Sequence, residues 1–275
     1  MITTVVVPLD GSALAASALG PSQALADATG AVLRLVTVLP MTLWEDRVRD
    51  ARDHLDEQAD RLGIERVEVA VITDQGIPEA IVAESNTVGA VVCMATHGRG
   101  GLGHAVLGSV AEAVLRHSQR PLLLVGPSVE AGPIDFTNGN LLVTVDGSKT
   151  SEVIVPAAAE WASLLHLRSW VVQVLPAPIG VIVKPHDHDA EAAELRRIAG
   201  ELPDTEAPPQ SELLHGSDPA AFVLDYASRL PATLMAMATH GRTGLARVAL
   251  GSVAMQVVHH SRCPILVVRS PDLVT

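Results

Sequence analysis

Along this chain the spacing of apolar residues switches repeatedly between alternation or short runs and a helical period of about 3.6. Thr3 to Leu9 is a β-branched run that predicts a strand, and the Ala/Leu spacing over Ser12 to Thr29 predicts a helix capped by Asp10 or Ser12. Ala31 to Leu39 predicts a second strand, closed by Pro40. Met41 to Leu62 predicts a charged amphipathic helix with apolar positions at Leu43, Val48, Leu55 and Leu62, ended by Gly63. Glu65 to Thr73 is a third strand; Gly76 and Pro78 make the turn into a helix running to about Thr87, with Pro78 suited to its first turn. Ala90 to Met94, a helix over Gly108 to Ser118, and Pro121 to Val125 complete the series. Strand alternating with helix at this pace predicts a parallel sheet with right-handed crossovers.

The pattern then restarts. Gly126 to Gly139, with Pro127, Gly132, Pro133 and Asn138, has linker character. Asn140 to Val145 repeats the first strand, Arg168 to Leu175 the second, and Cys263 to Val268 the fifth. Asp146-Gly147-Ser148 repeats Asp10-Gly11-Ser12, 136 positions on, while the later glycine loops are offset by 143, so seven residues are added between them. The change is placed after the second strand, where Ala177 to Asp189 carries prolines and histidines before a shorter helix at about Ala190 to Ala199. Two domains follow, at 1–128 and 138–275. His186 and His188 in that loop, and His259-His260, read as solvated surface rather than metal ligands.

Composition narrows the class. Of 275 residues 48% are hydrophobic but only 2% aromatic, so the core is aliphatic, as in a parallel sheet covered by helices. The net charge of −12, with no basic stripe, argues against nucleic acid, and no aromatic platform exists for single strands. No apolar run reaches membrane-spanning length, and Met1 to Val7 runs straight into a strand without a signal-peptide pattern. Cys93 and Cys263 lie in strand-like runs without metal or CxxC spacing and read as buried core thiols. The expectation is a soluble, cytoplasmic protein.

The chemistry concentrates in a doubled loop. Ala95-Thr96-His97-Gly98-Arg99-Gly100-Gly101 leads to Gly108-Ser109-Val110, and Ala238-Thr239-His240-Gly241-Arg242-Thr243-Gly244 leads to Gly251-Ser252-Val253. Each follows an apolar strand and opens a helix. Glycines let a backbone approach a phosphate, and the helix N-terminus behind them supplies N–H donors and positive potential, so both are read as nucleotide-phosphate loops. Arg99, Arg242 and Arg247 add charge-assisted contacts; His104 stands where the second half has Arg247.

With the strand-one aspartate and the doubled loop together, the chain resembles a tandem universal stress protein of the nucleotide-binding branch. That branch carries Gly-x2-Gly-x9-Gly-Ser/Thr; here Ala95 and Ala238 replace the first glycine, followed by Gly98, Gly108-Ser109 and by Gly241, Gly251-Ser252. The resemblance implies two tandem flavodoxin-like α/β domains, each a five-stranded parallel sheet with helices on both faces. It further implies that Asp10 and Asp146 contact adenosine, that Pro8 or Thr144 lines the floor, and that Val38 or Val174 meets the base. Read alone, each aspartate is equally a helix cap. The ligand implied is ATP, ADP or AMP, with Mg2+ as a candidate companion, and the role that of a stress-response regulator acting through a protein partner. Neither loop has a Walker lysine, so binding with slow or no hydrolysis is expected. A nucleotide-free interaction scaffold is the alternative, favoured by Ala95 and Ala238; an ATP-pyrophosphatase-type enzyme lacks its strand-one loop. The apolar fifth strands are expected to pair about a pseudo-two-fold axis, and a homodimer is the expected oligomer.

Overall fold

The computed structural model describes residues 1–41, 45–74, 76–97, 107–130, 134–176, 188–241 and 250–270. Two compact units divide the chain, Met1–Ile134 and Asp135–Thr275. The first unit runs β1 (Thr4–Pro8), α1 (Ala13–Ala16), α2 (Leu19–Thr29), β2 (Val32–Pro40), α3 (Glu45–Leu62), β3 (Val67–Asp74), α4 (Ile77–Ser85), β4 (Ala90–Ala95), α5 (Ser109–His117) and β5 (Leu122–Val125). Its strands lie in the order β3-β2-β1-β4-β5, all parallel.

The second unit repeats the plan: β6 (Asn140–Val145), α6 (Lys149–Glu152), α7 (Val155–Leu165), β7 (Arg168–Leu175), α8 (Asp189–Ala199), β8 (Gln210–His215), α9 (Pro219–Arg229), β9 (Leu234–Ala238), α10 (Ser252–His260) and β10 (Ile265–Val268). The order is β8-β7-β6-β9-β10, again parallel. This is the doubly wound parallel α/β fold expected from the alternation. Right-handed crossovers place α2 and α3 on one face of the first sheet and α4 and α5 on the other, where α4 and α5 touch.

Burial follows strand position. β4 and β9 are almost wholly buried because helices cover both faces, whereas the terminal strands β3 and β8 consist mainly of half-exposed and exposed residues. Cys93 is fully buried and Cys263 nearly so; burial pushes their thiols up to about 12 and about 11. Thiolate is therefore scarce at pH 8, and neither cysteine is expected to react with an aromatic disulfide reagent until the chain is unfolded in guanidinium. Rapid labelling of the native protein would contradict this. Among the described residues no helix is long and apolar enough to cross a membrane.

Three expectations need correction. The helix over Ser12 to Thr29 is two helices. Pro21 cannot donate to the Ser17 carbonyl and its ring crowds that group, while the Ser17 hydroxyl donates to Leu14 O at 2.7 Å, ending α1. Pro156, four residues after Glu152, divides α6 from α7 in the same way. The cap of the first helix is Ser12 and not Asp10: Ser12 Oγ accepts from Ala15 N–H at 3.1 Å. Finally, the linker is partly built into the second unit. Phe136 is 1% exposed, and Asn138 N–H donates to Leu165 O at 3.2 Å.

The added residues are also located. Val36 pairs with Ala70, 34 positions on, whereas Val172 pairs with Glu212, 40 on; six of the seven extra residues thus lie between the second and third strands. α8 fills the place of α3 there. β8 and α9 escaped the sequence reading, although Asp218-Pro219 is a start signal: Asp218 Oδ1 accepts from Ala221 N–H at 3.2 Å with Pro219 as the first helical residue.

Candidate functional site

In each unit the chain winds outward from the first strand, then jumps back to place the fourth strand on its other side. Connections leaving β1 and β4 diverge, as do those leaving β6 and β9, and a crevice opens beyond their carboxyl ends. Most of the described residues singled out from sequence lie at or just beyond the ends of these strands or open the helices beside them.

Asp10 and Asp146 follow β1 and β6. Each sits in a tight Asp-Gly-Ser turn whose glycine takes the left-handed region, φ 81° at Gly11 and 82° at Gly147, where a Cβ is strained. The carboxylates organise the turn. Asp10 Oδ1 accepts from Ser12 N–H at 2.9 Å; Asp146 Oδ1 accepts from Ser148 N–H at 3.0 Å and from its hydroxyl at 2.6 Å. Cap and aspartate therefore divide the work, with Ser12 and Ser148 capping the helices and the aspartates holding the serines.

The loops after β4 and β9 are described at both ends. Ala95 and Ala238 close their strands with ordinary negative φ, so the methyl groups that replace the motif's first glycine are accommodated without strain. Thr96 N–H donates to Val125 O at 3.0 Å and Gly108 N–H to Thr96 O at 2.8 Å; Thr239, Val268 and Gly251 repeat these bonds at 2.9 and 2.8 Å. The strand end and the helix start are thereby stapled together. His97 Nδ1 lies 3.0 Å from Thr96 Oγ1, and His240 Nδ1 lies 3.1 Å from Thr239 Oγ1.

Gly108 and Gly251 are the N-caps of α5 and α10, and neither helix has a side-chain cap. The first intrahelical bonds run from Glu112 N–H to Gly108 O and from Met255 N–H to Gly251 O, both 2.8 Å. The N–H groups of Ser109 and Val110, and of Ser252 and Val253, thus precede the helical ladder and point to the crevice side of a positive helix end.

Gly241 lies close against Asp146. A Cβ built there would lie 1.9 Å from Asp146 Oδ2 and 2.7 Å from its Cγ. Only glycine lets the loop lie against that carboxylate. Gly98, Arg99 and Gly101, with Arg242, Gly244 and Arg247, fall outside the described residues.

In the first unit the crevice is a cavity of about 1,020 Å³. Pro8, Asp10, Val38, Ala95, Gly108, Ser109 and Val110 all line it, so the described first-unit residues picked out from the sequence converge on one space. In the second unit Thr144 and Val174 lie on β6 and β7 at the positions of Pro8 and Val38. The cavity also has walls that the sequence reading missed: His97, the α4 residues Ile77 and Ile81, and Arg47, Asp50, Ala51 and His54 of α3. The last four have i, i+3, i+4, i+7 spacing, the mark of one helix face. That signal was hidden by charge on every side of α3. Among the described residues no group of three or more His, Cys, Asp or Glu side chains could hold a metal ion, and the half-buried His188 has its ring 5.2 Å from that of His215, tilted by 37°.

Fold and site together define a tandem doubly wound α/β protein whose two halves repeat one plan at the carboxyl ends of their sheets. The chain belongs to the universal stress protein family: the family model matches residues 1–126 and again 137–269. It is 29% identical over 201 residues to universal stress protein Rv2005c of Mycobacterium tuberculosis, a match covering 70% of this chain and 66% of that protein. The matched chain thus spans just under two thirds of that relative's length. Rv1996, also of Mycobacterium tuberculosis, is 25% identical over 315 residues, covering 98% of this chain and 95% of its own. A solved universal stress protein from Archaeoglobus fulgidus shares the fold, with TM-score 0.67, 18% identity, and coverage of 97% of this chain and 98% of that one.

Proposed function

We propose that each unit binds an adenine nucleotide, and that the protein is a stress-response regulator whose conformation or contact with a protein partner depends on that ligand. The observation that carries this reading is the convergence of Pro8, Asp10, Val38, Ala95, Gly108, Ser109 and Val110 on one cavity. A volume of about 1,020 Å³ suits a small ligand of nucleotide size. The polyphosphate lies at the N-terminus of α5 or α10, the ribose over Asp10 or Asp146, and the base toward Val38 or Val174. ATP brings Mg2+ on its phosphates; ADP and AMP fit the same frame. Turnover is slow or absent, because neither loop carries a Walker lysine. A homodimer in the cytoplasm is part of the proposal, and two buried unpaired cysteines fit a reducing compartment.

Ala95 and Ala238, which favour the scaffold reading, sit in unstrained strand ends, and this supports the nucleotide reading over it. Titration calorimetry with ATP and Mg2+ tests the proposal. Wild type is expected to bind two equivalents per chain, and the double variant Asp10→Ala/Asp146→Ala to bind at least tenfold more weakly, with phosphate release near background in both. Absence of heat and of any thermal shift at millimolar ATP would turn the assignment to a nucleotide-free scaffold.

A further inference from the structure

The face of α3 that closes the first cavity differs from the rest of its helix. Elsewhere on α3 the arginines are paired along the surface: Arg49 with Asp46 at 3.7 Å, Arg52 with Asp56 at 3.5 Å and Arg61 with Glu57 at 3.7 Å. Arg47 and Asp50, three residues apart and both on the cavity, make no ion pair or hydrogen bond among the described residues. An unpaired guanidinium beside an unpaired carboxylate presents donors and an acceptor side by side to whatever enters.

Their place along the crevice limits what that is. α5 marks the phosphate pole beside β4. α3 follows β2 directly and packs on β2 and β3, at the opposite end, where Val38, Leu39 and Pro40 line the same cavity. Resting on the adenine-nucleotide reading of this crevice, we infer that Arg47 and Asp50 form a recognition wall for the purine base in the first unit. The Arg47 guanidinium donates to ring nitrogen acceptors of the base, and Asp50 accepts from its exocyclic amine. The ligand class is thereby an amino-purine nucleotide.

Among the described residues of the second unit this wall has no counterpart. Setting α8 on α3 by their buried leucines, Leu195 and Leu55, puts Ala190, Glu191 and Glu194 at the positions of Asp50, Ala51 and His54. Glu194 is engaged with Arg197 at 2.8 Å and with Lys149 at 3.7 Å. Among the described residues, base recognition by a paired donor and acceptor therefore belongs to the first unit, and the two sites differ in selectivity.

Four chains titrated with ATP and Mg2+ test the inference: wild type, Arg47→Ala, Arg47→Lys and the outer-face control Arg49→Ala. A charge-assisted hydrogen bond lost to a base corresponds to about tenfold in Kd. Arg47→Ala and Arg47→Lys are each expected to weaken one of the two binding equivalents about tenfold, with Arg49→Ala indistinguishable from wild type. Lysine keeps the charge but not the planar fork, so full rescue by lysine would reduce Arg47 to a general electrostatic role and overturn base recognition. So would an unchanged Arg47→Ala, or equal weakening of both equivalents. Wild type that binds no ATP at all would instead bring down the nucleotide reading, and this inference with it.

Discussion

Gly241→Ala is expected to abolish ligand binding in the second unit while the first unit binds as before, so that nucleotide stoichiometry falls from two to one per chain. One methyl group suffices. Its carbon would lie 1.9 Å from Asp146 Oδ2, far inside contact distance, and the carboxylate cannot simply swing away because Oδ1 holds both the N–H and the hydroxyl of Ser148. Either the Asp-Gly-Ser turn gives up two hydrogen bonds or the loop after β9 withdraws from the crevice. Both routes spoil the juxtaposition on which the site depends, and overpacking of this kind costs about 1–3 kcal/mol. Calorimetric stoichiometry, with circular dichroism as a check on folding, measures the outcome. Two equivalents of unchanged affinity in Gly241→Ala would show that the contact between Gly241 and Asp146 is irrelevant to binding.

The largest stability loss is expected at Phe136. It stands in a segment without regular structure, yet its side chain is 1% exposed and ranks among the largest fully buried ones. Truncating a buried phenylalanine removes its transfer free energy and leaves a cavity, so Phe136→Ala should cost about 3–5 kcal/mol, whereas Phe136→Leu, closer in volume, should cost less than half of that. Urea unfolding monitored by far-ultraviolet circular dichroism measures both. A loss under about 1 kcal/mol for the alanine variant would mean that the site refills or that Phe136 contributes little to the native state.

Phe136 also shows where local reading stops. Proline, glycine and asparagine around it signal a break in regular structure, and the break is there; that the aromatic ring between them is buried depends on residues remote in sequence. The turn at Asp10 gave the opposite lesson. Asp-Gly-Ser before an apolar helix is a local hydrogen-bond pattern, so turn and cap could both be anticipated, and only the division between Ser12 as cap and Asp10 as organiser needed coordinates. The split of α1 from α2 was available in principle, because Pro21 breaks the ladder by its own covalent structure.

The parallel sheet, the duplication, and the first-unit cavity residues Pro8, Asp10, Val38, Ala95, Gly108, Ser109 and Val110 were legible because each rests on short-range physics: alternation, glycine conformations, helix starts and their repetition 136 and 143 positions on. Three things were decided only by tertiary structure. Ala95 and Ala238 are accommodated without backbone strain because their strands leave ordinary angles there. Gly241 is required because a carboxylate nearly a hundred residues earlier packs against it. And one face of α3, indistinguishable from its neighbours by composition, becomes a wall of the cavity because the crossover lays it over β2 and β3. A sequence records which side chains a helix carries, but the neighbour that each one meets is set by how distant segments pack together.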